Sequence, residues 1–153
     1  MIEEKKELAV AALCNGTVID HIPSNQLFKA VDLLGLTDID KSVTIGYNLE
    51  SKRLGKKGII KVADTIFPQN VLNRIAIIAP SAVINRIENY EVVSKQPVIL
   101  PDEIVDLVRC NNPKCITRNE PMKSRFMVLD KESVVLKCRY CSHEVSGDSI
   151  VLK

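Results

Sequence analysis

Through the first hundred residues the apolar positions recur mostly with the period of a strand, and in two short stretches with that of a helix. Residues 7–14 predict a strand, and Asn15-Gly16 reads as a two-residue hairpin turn. Thr17 to Ile22 reads as the returning strand, stopped by Pro23. Ser24 is a candidate cap for a helix whose Leu27, Ala30, Val31 and Leu34 form one apolar stripe, with Gly35 as its C-terminal stop. Ser42 to Leu49 and Gly58 to Ile66 predict two strands joined by the charged loop Lys-Arg-Leu-Gly-Lys-Lys. Pro68 marks the start of a second helix, with Val71, Leu72, Ile75 and Ile78 on its apolar face. Residues 82–87 and 90–95 predict a closing strand pair around Glu88-Asn89. The order β-β-α-β-β-α-β-β predicts an α+β fold, a ferredoxin-like antiparallel sheet with two helices on one face.

The pattern changes near residue 100. Pro97 and Pro101 bracket Val98-Ile99-Leu100 as a linker, dividing the chain into domains 1–100 and 101–153. A short amphipathic turn is expected from Ile104 to Val108, and strands at Arg125–Leu129, Val134–Cys138 and Ile150–Leu152. This second domain is small and β-rich. Roughly fifty residues bury little core, so a staple is expected.

Four cysteines supply the candidate staple. Cys110 and Cys115 frame Cys-Asn-Asn-Pro-Lys-Cys, and Cys138 and Cys141 frame Cys-Arg-Tyr-Cys. Each pair can hold two thiolates on one tight turn, and two such turns can close a tetrahedral site for one zinc ion. With every vertex filled by sulfur, no position is left for water or substrate, so the site is structural. The alternative is two disulfides, which would need an oxidising compartment. The opening Met-Ile-Glu-Glu-Lys-Lys-Glu is charged and lacks the apolar stretch of a signal peptide, and no apolar run approaches the ~18 residues of a membrane span. A cytoplasmic, reducing location without membrane attachment is expected, favouring zinc. A Cys3His site using His143 is unnecessary beside four well-spaced thiols. Cys14 is expected to be a small buried hydrophobe.

Composition narrows the function. The formal net charge is +2, and basic and acidic residues balance on either side of residue 100, so no strong nucleic-acid footprint exists. No nucleic acid is expected as a partner, although a zinc-ribbon nucleic-acid-binding or transcription factor remains the alternative reading. Two histidines, no Walker loop, no Gly-rich dinucleotide motif and no open metal site argue against an enzyme.

Gly16-Thr17-Val18-Ile19-Asp20-His21-Ile22 and Asn85-Arg86-Ile87-Glu88-Asn89-Tyr90-Glu91-Val92-Val93 resemble the two signature stretches of the aspartate carbamoyltransferase regulatory chains. The two cysteine pairs are similar to that family's zinc site, and the resemblance spans nearly the whole length. It implies a non-catalytic allosteric subunit of pyrimidine biosynthesis. The N-terminal domain would receive CTP or ATP, with UTP a third candidate, and would pair two regulatory chains. The zinc domain would dock on the catalytic chain, six chains of each kind building the assembly. On the resemblance, Lys61 and Lys95 are the foremost triphosphate cations, with Lys57 a further point charge. Asp20 matches the ribose acceptor, and His21 a position near the phosphates. The backbone of Ala12, Leu13 and Tyr90 would face the base, with Val10, Val18, Ile87 and Val92 lining the pocket and Asn85 adding a polar contact. Each has a plainer reading: solvated lysine, turn aspartate, sheet histidine, strand core, capping asparagine. Ala11 departs from the glutamate of a better-known form, which leaves nucleotide selectivity open. Asn111, Lys114 and Glu144 are candidate contacts to a catalytic chain or else exposed polar surface, and Arg86 is read as structural or at a subunit contact.

Overall fold

A computed structural model describes residues 13–153, in two compact units that divide between Val98 and Ile99. The expected strand at residues 7–14, with Val10, Ala11 and Ala12, lies outside the described residues except for its last two positions, which are not strand.

The first unit runs β1 (Gly16–Pro23), α1 (Leu27–Leu33), β2 (Val43–Ser51), β3 (Gly55–Ala63), α2 (Gln69–Ile78), β4 (Val83–Glu88) and β5 (Glu91–Pro97). The strands form one antiparallel sheet in the order β2-β3-β1-β4-β5. Its first four strands have the ferredoxin-like arrangement, and β5 extends one edge by a hairpin. Alternation decides the faces. Ile19, Ile60 and Val62 point to one side, where Leu27, Ala30 and Leu34 from the first helical segment and Ile75 from α2 complete a buried core. Gly58 permits this packing, because a Cβ there would lie 2.6 Å from the Leu27 side chain.

Several sequence expectations give way here. Asn15-Gly16 does not turn a hairpin: Leu13 and Cys14 ahead of it are not strand, and β3 and β4 already flank β1 on both edges over Gly16–Asp20. Gly16 is needed for a different reason. Its φ is +144°, and a Cβ would sit 2.1 Å from the Val62 carbonyl oxygen. Ser24 does not cap α1. It opens a single 3-10 turn, and its Oγ is buried without a hydrogen-bond partner among the described residues. The helix still ends at Gly35, whose φ of +67° is left-handed. The β2–β3 turn shrinks to residues 52–54, so Lys56 and Lys57 belong to β3 rather than to a loop. The final turn falls on Asn89-Tyr90, both at positive φ, one residue beyond the expected position. Cys14 is exposed rather than buried.

The second unit carries β6 (Glu103–Val105), β7 (Val108–Arg109), the single-turn α3 (Ile116–Asn119), β8 (Arg125–Asp130), β9 (Val135–Cys138), β10 (Glu144–Ser146) and β11 (Val151–Leu152). The segment expected as an amphipathic turn is instead two short strands. β6 pairs with β8, and β7 with β11, which satisfies backbone groups that a surface turn would leave to water. The main sheet runs β10-β9-β8-β6, and its buried side chains are few: Ile104, Phe126, Leu136, Cys138 and Val145. Among the described residues no helix is long and apolar enough to cross a membrane.

Candidate metal centre and effector face

The cysteines sit where the small unit turns its chain back. Cys110 follows β7 and Cys115 precedes α3, with the Cys115 amide donating to the Asn112 carbonyl at 3.0 Å to close the first turn. Cys138 ends β9, and the Ser142 amide returns to its carbonyl at 2.9 Å. The two turns bring all four Sγ atoms within 4.8 Å of one another. Cys110 and Cys141 are 3.5 Å apart, Cys115 and Cys138 3.8 Å. A disulfide would need about 2.05 Å, so these are free thiols. A tetrahedron with metal–sulfur bonds of about 2.3 Å has edges of about 3.8 Å, close to these two separations.

The electrostatics lead to the same conclusion. Cys110, Cys115 and Cys138 are each only 1% exposed. Burial pushes the Cys110 thiol up to about 12, helped by the neighbouring thiols and opposed by a backbone N–H at Asn112. Burial raises Cys138 as well. At Cys141 burial also acts upward, but hydrogen bonds from the His143 backbone, the Asn112 side chain and the nearby thiols outweigh it and bring the thiol down to about 7. Four thiolates this close cannot share a buried site without a cation. A bound cation must displace protons from the buried thiols, so its affinity falls as pH falls. His143 is exposed and outside the cluster, contributing its carbonyl to the Cys138 amide at 2.8 Å. The described residues thus offer an all-sulfur metal centre with no open vertex.

The sheet face turned away from α1 and α2 gathers most of the other candidates. Register places Thr44, Lys61, Val18, Asn85 and Lys95 side by side across all five strands. The adjoining row holds Ala63, Gly16, Ile87 and Val92. Asp20 lies two residues beyond Val18 on β1, and its Oδ1 is 3.0 Å from the Lys57 ammonium. His21 sits in a bulge at φ +58°, with its Nε2 3.9 Å from Asp20 Oδ2 and its Nδ1 buried without a hydrogen-bond partner among the described residues. Tyr90 is not in this row. It occupies the β4–β5 turn, 69% exposed, while its amide donates to the Cys14 carbonyl at 2.9 Å. Leu13 is half-buried just ahead of β1. The sequence reading did not single out Thr44, whose place beside Lys61 emerges only when the β2–β3 turn is set at 52–54. In the small unit, Lys114 and Glu144 are exposed, whereas Asn111 is half-buried and donates to the Ser149 carbonyl. Arg86 pairs with Glu88 at 3.2 Å.

Comparison with known proteins supplies the family. Residues 8–99 match the aspartate carbamoyltransferase regulatory chain, allosteric domain, and residues 102–151 match the metal binding domain of the same chain. The aspartate carbamoyltransferase regulatory chain of Parabacteroides distasonis is 56% identical over 151 residues, covering 99% of this chain and 98% of that one. The regulatory chain of Phocaeicola vulgatus is 55% identical over 152 residues, covering 99% and 98%. The Thermococcus sibiricus chain is 44% identical over 146 residues, covering 95% and 97%. An allosteric unit followed by an all-cysteine metal-binding unit, matched over nearly the whole length, places this chain in the family of aspartate carbamoyltransferase regulatory chains, as a regulatory and not a catalytic subunit.

Proposed function

We propose that the chain binds CTP- and ATP-type nucleotides on its first unit and transmits their binding to catalytic chains through its second. The observation that carries this reading is the cross-strand row Lys61–Val18–Asn85–Lys95 on the face turned away from α1 and α2. Two cations there flank an apolar floor and an amide, a combination suited to an anionic nucleotide. Lys61 and Lys95 hold the triphosphate, with His21 nearby; Asp20 accepts from the ribose hydroxyls. Backbone groups of Ala12, Leu13 and Tyr90 meet the base, and Val10, Val18, Ile87 and Val92 pack around it. A carbonyl facing the exocyclic amino group would prefer cytosine over uracil, though Ala11 leaves the ranking of CTP, ATP and UTP to measurement. Residues 1–100 form the nucleotide domain and the contact between two regulatory chains. Residues 101–153 dock on the catalytic chain, with Asn111, Lys114 and Glu144 at the contact. The metal is one structural zinc per chain in Cys110, Cys115, Cys138 and Cys141, since an all-thiolate tetrahedron suits zinc.

Calorimetric titration with CTP tests the pocket. Lys95→Ala and Lys61→Ala are each expected to weaken binding by ~1.5–3 kcal/mol, the worth of a hydrogen bond to a charged group. Lys52→Ala, in the exposed turn at residues 52–54, is expected to change little. Equal losses at all three positions would mean that the nucleotide binds elsewhere.

A further inference from the structure

Among the described residues the Asp20 carboxylate is held on one side only. Its Oδ1 accepts from the His21 backbone N–H at 2.6 Å and lies 3.0 Å from the Lys57 ammonium. Its Oδ2 is 3.9 Å from His21 Nε2, beyond hydrogen-bond reach. The two side chains of the ion pair are 22% and 20% exposed, so solvent screens them little. Lys57 reaches this position because β3 begins at Gly55 and sets Lys57 opposite Pro23, at the end of β1. Lys61 and Lys95, by contrast, belong to the row centred on Val18. To hold a phosphate, Lys57 would have to leave a half-buried carboxylate unbalanced, which costs more than moving a lysine out of solvent.

We propose that Lys57 is a positioning residue rather than a phosphate ligand: it fixes Asp20 Oδ1, so that Oδ2 is presented to the sugar hydroxyls of the nucleotide. This rests on the effector reading above and adds to it a division of labour among the three lysines. Lys61 and Lys95 answer to the phosphates, whereas Lys57 answers to the sugar through Asp20. Discrimination between nucleotides that carry ribose hydroxyls and those that lack them then depends on a residue that touches neither.

The test is calorimetric titration of the full chain with CTP and with 2′,3′-dideoxy-CTP, which keeps the triphosphate and lacks both hydroxyls. Lys57→Met preserves the aliphatic stem and removes the charge. It is expected to weaken CTP binding roughly tenfold or more, the scale of a hydrogen bond to a charged group, while leaving dideoxy-CTP nearly unchanged. Asp20→Asn, with Lys57 intact, should give the same pattern, and the double variant should lose no more than either single one. Lys57→Arg should recover most of the CTP affinity. If Lys57→Met fails to fold, Lys57→Gln takes its place in the same comparison. Equal weakening of CTP and dideoxy-CTP in the charge-removing variant would overturn the proposal and return Lys57 to the phosphates. Failure of the unaltered chain to bind either nucleotide would instead overturn the effector reading itself.

Discussion

Replacing Cys115 with Ser is expected to release the metal and unfold the C-terminal unit, leaving the sheet of the N-terminal unit intact. The magnitude follows from the size of the two terms. Structural zinc sites contribute ~10–16 kcal/mol to small metal-dependent folds. A whole domain is commonly stable by only ~5–15 kcal/mol, and the core around Phe126, Ile104 and Leu136 is small. A serine hydroxyl cannot replace a buried thiolate as a soft ligand, so the site loses a vertex and most of its affinity. The same outcome is expected at Cys110, Cys138 and Cys141, whereas His143→Ala should retain the metal, since only the backbone of His143 meets the cluster. Elemental analysis should give one zinc per chain in the unaltered protein and much less in the variants. Amide exchange should lose protection in β8 and β9 while β1 and β3 keep theirs. A metal-free unaltered protein, or disulfides among these four cysteines by mass spectrometry, would refute this.

The second large effect is a separation of functions. Extracting zinc with a mercurial is expected to abolish association with the catalytic chain while nucleotide titration of the regulatory chain stays largely unchanged. The N-terminal unit closes its own core between one sheet face and two helices, and among the described residues the clustered metal ligands all lie in the other unit. The C-terminal unit has no comparable core to hold a docking surface in shape once the four thiols are freed. Gel filtration with catalytic chain, run beside CTP titration before and after extraction, measures both properties on one sample. Loss of both together would show that the two units do not fold independently. Assembly by the metal-free chain would show that the metal does not shape the interface.

The metal centre was legible because thiol pairs at such short spacing leave few other structures open, and the pattern survives an error of several residues in strand placement. The candidate effector residues were named only through the resemblance, since what relates them in the sheet is register. Register depends on where turns fall, and three turns were misplaced. Asn15-Gly16 carries a strong local hairpin signal, yet β1 ends up in the middle of the sheet with both edges paired, a non-local fact that no dipeptide encodes. Lys56 and Lys57 read as loop because charge dominates the segment, yet they extend β3, and only that extension sets Lys57 against Asp20 and Thr44 beside Lys61. The strands Glu103–Val105 and Val108–Arg109 escaped because two or three residues show no period at all. Cys14 was misread as core because its apolar neighbours precede it, whereas the chain bends at Cys14 and Asn15 before entering the sheet.

Allostery is a coupling free energy between two sites, so the central claim concerns the assembly rather than either unit alone. The most direct test is carbamoyltransferase kinetics of the catalytic chain reconstituted with this regulatory chain, at subsaturating substrate, with and without CTP, ATP and UTP. The account predicts that at least one nucleotide shifts the substrate dependence of the reconstituted complex, that the isolated catalytic chain does not respond, and that Lys95→Ala in the regulatory chain moves the response to higher nucleotide concentration. A complex that forms, binds CTP and yet shows the same kinetics with every nucleotide would contradict it.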